Sequence, residues 1–216
     1  MRVSDEVLRY ASAYPGAKVV AVTKTADIKA MRAAYEIGYT AFGENRIQDA
    51  LAKIALISLP VEWHFIGRLQ SNKARKAVGP FSLLHSLDNL RLANLVSNVS
   101  LESGVTTECL IQVNVSGEKS KQGIDPVEIY QFGTDIRGLQ GIKVVGLMTM
   151  APHEETPEAT RPLFRKMRRL FEGLSGEASS HFEMKYLSMG MSNDYHVALD
   201  EGANLIRVGS AIFLHD

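Results

Sequence analysis

A single cysteine among 216 residues, Cys109, leaves no partner for an intrachain disulfide and no set of thiolates for a metal cluster. It lies in the apolar run Glu108 to Val115, and a reducing compartment is the expectation. An excess of one charge sign is also missing. The 24 Lys and Arg residues balance 24 Asp and Glu residues, which removes the basic surplus that general nucleic-acid or membrane-surface binding requires. No segment approaches the roughly 18 uninterrupted apolar residues of a membrane span, and the opening MRVSDEVLRY has no apolar signal-peptide core. A cytoplasmic protein is expected, with neither nucleic acid nor membrane as partner. The six histidines show no His-x-x-x-His spacing, so no metal site is expected. No internal repeat or low-complexity linker divides the chain, and its length suits one domain over residues 1–216.

Short apolar or β-branched runs recur with amphipathic stretches between them, the pattern of repeated βα units around a parallel sheet. Eight such runs are visible, at Lys18–Thr23, Thr40–Gly43, Glu62–Ile66, Phe81–His85, Thr107–Val115, Lys143–Met148, Met184–Leu187 and Leu205–Val208. Asp27 and Gly38 punctuate a helix over Ile28–Ile37, and Asp88 and Gly104 punctuate one over Asn89–Ser103. Thr156-Pro157 opens a long basic helix through Phe171. A further helix, about Asp5 to Tyr14, precedes the first strand and should cover the barrel's bottom or side. A doubly wound open sheet shares this alternation. Two features favour a closed (β/α)8 barrel with an additional N-terminal helix. No Gly-x-Gly-x-x-Gly follows the first strand, and the turns rich in glycine and small polar residues come after the seventh and eighth, where barrels commonly hold a phosphate.

The first strand ends Val-Ala-Val-Thr-Lys, which puts Lys24 where a barrel strand meets its functional face. A free lysine has a pKa of about 10.4 and attacks carbonyls only where its surroundings favour the neutral amine. The plain alternative is a solvated lysine opening a loop. Ser188-Met-Gly-Met-Ser192 follows strand seven. Gly190 allows close backbone approach, the two serines offer hydroxyls, and the next helix would present its positive end to an anion. Ser192 as a simple helix cap is the competing reading. Gly209 and Ser210 supply a second such turn after strand eight. Arg207, within that apolar strand, needs a partner if buried, either a ligand or a structural ion pair. Asn45, His64 and Met148 also stand at or near strand ends, where a packed, hydrogen-bonded role is the ordinary one. Lys73, Arg75 and Lys76 read as a solvated helix face.

These residues fall within seven stretches in register. They are Ala21-Val-Thr-Lys24-Thr, Phe42-Gly-Glu-Asn45, Trp63-His-Phe-Ile-Gly67 with Leu69-Gln-Ser-Asn-Lys73, Asn114-Val-Ser-Gly-Glu118 with Lys121 and Gly123, Gly146-Leu-Met148, Ser188–Ser192 with Asp194, and Arg207-Val-Gly-Ser-Ala-Ile-Phe213. Together they resemble the pyridoxal phosphate homeostasis proteins, the YggS/PROSC group, relatives of the barrel domain of bacterial alanine racemase. The resemblance implies pyridoxal 5′-phosphate (PLP) as cofactor, held as a Schiff base on Lys24. It implies that Ser188, Gly190, Ser192, Gly209 and Ser210 cradle the phosphate. Arg207 would lie near the pyridine ring or phosphate, and Asn45, His64 and Met148 would line the surroundings. It further implies a protein of vitamin B6 homeostasis, with PLP-dependent apo-enzymes as recipients and no robust turnover; a single barrel with polar helices is expected to stay monomeric. In the related racemases a tyrosine from a further domain serves the second face of the substrate. From the residues alone a Schiff-base aldolase barrel, or an active PLP enzyme, would look similar.

Overall fold

The computed structural model describes residues 1–118, 121–152, 156–176, 179 and 181–214. Strand β1 (Arg2–Val3) is followed by helix α1 (Glu6–Ala11), β2 (Lys18–Val22), α2 (Ile28–Ile37), β3 (Ala41–Glu44), α3 (Ile47–Leu56) and β4 (Glu62–Phe65). A 3-10 turn at Ser71–Lys73 leads into α4 (Ala74–Ala77), then β5 (Leu83–Leu87), α5 (Leu90–Glu102), β6 (Thr107–Gln112), α6 (Ile129–Ile136) and β7 (Ile142–Met148). A second 3-10 turn, Pro157–Thr160, opens α7 (Arg161–Ser175), and β8 (Phe182–Ser188), α8 (Tyr195–Asp200), β9 (Leu205–Val208) and β10 (Phe213–Leu214) complete the order.

Strands β2 to β9 lie side by side in chain order, all parallel, and β9 pairs back onto β2 to close an eight-stranded barrel. Successive side chains alternate across each strand, so every strand serves two layers. Val20, Ala41, Leu83, Leu110, Val145 and Leu205 point inward and fill the barrel with Met148. Their neighbours Ala21, Phe42, Phe65, Ile111 and Ile206 point outward and pack under the helices. The same alternation carries the inward phase on to His64, Gln112 and Arg207, so polar groups at those positions enter the barrel. The expected strands form, and β5 runs Leu83–Leu87 where Phe81–His85 is expected.

Helix α2 begins and ends as its sequence predicts. Asp27 accepts a hydrogen bond from Ala30 N–H at 2.7 Å, and Gly38 closes the helix in the left-handed region at φ 119°. Helix α5 corrects the expected cap by one residue. Asn89, not Asp88, is the N-cap, its side-chain oxygen accepting from Leu92 N–H at 2.9 Å. Helix α7 begins one turn later than Thr156-Pro157 suggests. Pro162 has no amide hydrogen to offer the preceding turn, so α-helical bonding starts at Arg161. An element absent from the sequence reading is the antiparallel pair of β1 and β10, two residues each, joining the two ends of the described chain beside the barrel. Helix α1 packs on the barrel through Val7 and Ala11. No helix among the described residues is long and apolar enough to cross a membrane.

Candidate functional site

At the carboxyl ends of the strands the chain encloses a cavity of about 620 Å³. Its rim collects the residue that follows nearly every strand. Lys24 and Thr25 come from β2, Asn45 from β3, Ile66 and Arg68 from β4, Gln112 from the end of β6 and Met150 from beyond β7. Met191 and Ser192 follow β8, and Arg207, Gly209 and Ser210 come from β9. Six residues singled out by sequence therefore meet there: Lys24, Asn45, Ser192, Arg207, Gly209 and Ser210.

The other four do not line it. His64, inside β4, and Met148 and Ser188, the last residues of β7 and β8, are buried in the barrel below it. Gly190 acts through backbone. Its φ is 94°, and a Cβ there would stand 2.6 Å from the Ala198 methyl, so the turn after β8 accepts only glycine without displacement. Its carbonyl accepts from Arg207 N–H at 3.0 Å, tying that turn to β9.

Ser192 stitches the two anion-type turns together. Its Oγ accepts the N–H groups of Gly209 at 3.1 Å and Ala211 at 3.4 Å, which leaves the hydroxyl hydrogen to donate into the cavity. The helix cap at this point is Asp194, whose carboxylate accepts from Met191 N–H at 2.6 Å. Burial holds the Asp194 carboxyl above its ordinary range.

Arg207 is 4% exposed, with its guanidinium donating to Ser188 Oγ and, at 2.8 Å, to the Thr149 carbonyl. Burial pulls its pKa down to about 10, with Asp194 pulling the other way, so it remains a cation at neutral pH. Neither hydrogen-bonded partner carries a charge. The cavity thus contains a positive centre without a carboxylate bonded to it, a setting that attracts anions.

The approach to Lys24 is braced from outside the barrel. Lys53 on α3 donates to the Thr23 carbonyl at 2.6 Å and to Glu44 Oε1 at 2.7 Å, and Thr23 Oγ1 donates to the same carboxylate oxygen at 2.6 Å. Sequence reasoning missed this trio, although Lys53 three residues from the end of an amphipathic helix gives no signal by itself. It missed Gln112 for a different reason. The apolar run reads on to Val115, which hides that the strand stops at Gln112 and turns that amide into the cavity. Arg68, Met150 and Met191 lie on loops, where side-chain direction has no period to read.

Residues 3–216 match the family described as alanine racemase, N-terminal domain. A pyridoxal phosphate homeostasis protein of Aquifex aeolicus is 41% identical over 91% of this chain and 86% of its own length. Its namesake in Synechocystis is 37% identical over 92% and 91%. The chain belongs to the pyridoxal phosphate homeostasis family. PipY of Synechococcus elongatus, solved without PLP, superposes with a TM-score of 0.90 at 37% identity, covering 98% of this chain and all of PipY. PipY has also been solved with PLP bound, at a TM-score of 0.87 over 96% of this chain. Alanine racemase of Clostridium difficile shares the barrel at a TM-score of 0.77 and 14% identity, over 58% of the racemase chain.

Proposed function

We propose that this family member holds PLP in the carboxyl-end cavity, linked through its aldehyde carbon to Lys24 Nζ, and serves PLP homeostasis without sustained turnover. The observation that carries the proposal is one cavity into which Lys24, the Ser192 and Gly209–Ser210 turns and a buried arginine all open. That donor set suits a flat, anionic aldehyde. Ser192 and Ser210 hydroxyls would hold the phosphate, with the Arg207 charge favouring the anion from the barrel side. Val22, Ile66, Met150 and Met191 supply apolar walls that would keep water from the ring. When bound, PLP supplies a carbonyl electrophile and an electron sink. Met148, Ser188 and His64 would act from the layer below, and Gly190 by shaping the phosphate turn. The reading extends to a monomeric cytoplasmic carrier with PLP-dependent apo-enzymes as recipients. A single, fully buried thiol whose pKa burial raises suits a reducing compartment.

The test is covalent mapping. Purified protein mixed with PLP should show a visible absorption band that borohydride abolishes, with the reduced pyridoxyl group recovered on the peptide containing Lys24. Lys24→Ala should fold normally, by circular dichroism, and carry no such group. Recovery of the label on another lysine overturns the assignment, and equal affinity for pyridoxal and PLP overturns the phosphate site.

A further inference from the structure

A polar column runs through the otherwise apolar barrel interior from the cavity to the amino ends of the strands. Arg207 donates to Ser188 Oγ. Ser188 Oγ lies 3.3 Å from His85 Nδ1, His85 Nε2 lies 3.0 Å from His64 Nδ1, and His64 Nε2 lies 3.5 Å from Glu62 Oε2. His85 and Ser188 are wholly buried and His64 is 3% exposed, while Glu62 opens to solvent at the first residue of β4.

Hydrogen-bond chemistry gives this column one direction. A guanidinium has no acceptor, so Ser188 Oγ must receive from Arg207, and its own hydrogen is free to go to His85 Nδ1. With Nδ1 accepting, a neutral His85 carries its hydrogen on Nε2 and donates to His64 Nδ1. His64 then carries its hydrogen on Nε2 and faces the Glu62 carboxylate. Each group accepts on the cavity side and donates on the floor side, from a fixed cation to a carboxylate. Burial, His64 and Arg207 together hold His85 well below its ordinary range, which keeps it neutral. The charged and titratable groups around the column are Glu62 on its own strand, Lys18 on β2 at 3.7 Å from Glu62, Lys185 and Tyr186 on β8, and Arg207 with Asp194 at the cavity end.

We propose that His85 and His64 are positioning residues for Arg207, fixing its guanidinium in the cavity through a hydrogen-bond chain of single polarity anchored at Glu62. The proposal rests on the PLP reading only for its consequence at the cofactor. A proton added to His64 Nδ1 reverses the chain. His64 would donate to His85 Nε2, His85 Nδ1–H would turn on Ser188 Oγ, and that oxygen would face two donors while its own hydrogen loses its acceptor. Arg207 then shares the Ser188 oxygen with a second donor, which loosens the geometry that held it. Acid at the barrel floor is thereby transmitted to the cofactor cavity.

The first measurement needs no cofactor. In histidine-labelled protein at neutral pH, long-range 1H–15N spectra should show both rings as neutral Nε2–H tautomers. A His85 ring protonated on Nδ1, or on both nitrogens, overturns the chain. The second uses two variants whose fold is checked by circular dichroism. His64→Asn keeps an acceptor for His85 but takes no proton, so the Arg207 guanidinium resonances should stay in place on acidification, where those of the unmutated protein move. His85→Leu cuts the chain, should shift and broaden those resonances, and should weaken PLP binding by up to about tenfold, the scale of one neutral hydrogen bond lost behind the arginine. A folded His85→Leu with unchanged arginine resonances and an unchanged pH profile overturns the positioning role. If the unmutated protein binds no PLP, the functional reading fails, and the tautomer and arginine measurements still decide the chain.

Discussion

Lys53 shows how much of the site rests on one residue outside it. Glu44 is fully buried, and its carboxylate receives hydrogen bonds on Oε1 alone, from Lys53 and Thr23. Removing the lysine leaves a buried charge without its counter-ion, which costs about 3–5 kcal/mol. Lys53→Met should therefore lower stability by that amount in denaturant unfolding. Replacing both partners with methionine should recover most of it, because Thr23 retains the Gly43 carbonyl as an acceptor. No recovery in the double variant would show that the loss is one of packing. His85 predicts a pH slope with a definite sign. Its folded pKa lies well below the ordinary 6.5. Below about pH 6.5 the unfolded chain takes up a proton that the folded chain refuses, so stability is fully present above that pH and falls beneath it, by about 1.4 kcal/mol per pH unit. Urea titrations between pH 7 and 5 should show this share of the slope vanish in His85→Gln.

Elements were legible where period and punctuation agree. Val20 and Ala21, or Ala41 and Phe42, reveal both barrel layers in two adjacent letters, and α2 carries a good cap at each end. Closure into a barrel was readable from eight runs and the position of the small-residue turns. Less legible were features set by neighbours far away in sequence. The β1–β10 pair joins residues at the two ends of the described chain, and two-residue strands have no period. Within the site, the position of a residue along its strand does not by itself decide what reaches the cavity. Lys24 and Asn45 lie past their strands and line it, Gln112 at the end of β6 and Arg207 inside β9 reach it as well, and His64, Met148 and Ser188 stay beneath it. Apolar runs define neither the length nor the direction of a side chain, so these outcomes were not readable from them. The cap of α5 was missed by one residue, since Asp88 and Asn89 are adjacent and equally good caps by chemistry. Side-chain truncation decides between them: Asn89→Ala should cost about 1 kcal/mol, and Asp88→Ala, at a half-buried position that bonds the Asn89 side chain and no helix N–H, clearly less. Equal losses in thermal unfolding would put the cap back on Asp88.

For the molecule as a whole, the shared barrel poses the question of turnover, because alanine racemase of Clostridium difficile is built on the same fold. Racemisation requires one group to remove the α-proton from one face of the substrate and another to return it on the opposite face. Lys24 supplies an amine at the cavity. Among the described residues lining it there is no aspartate, glutamate, histidine, tyrosine or cysteine. The remaining ionisable groups are Arg68 and Arg207, and a guanidinium stays protonated at neutral pH. His64 and His85 are buried below the cavity and committed to each other and to Ser188. Among the described residues the cavity lining therefore offers one such group, Lys24, where the reaction needs two. With PLP bound, L- and D-alanine should be returned unchanged at enzyme-like times, with any inversion far slower than about 1 per second. Chiral chromatography of both enantiomers, with Lys24→Ala as blank, makes the measurement. Sustained Lys24-dependent inversion at ordinary enzyme rates would mean that a second group reaches the substrate, and would replace the carrier by an enzyme.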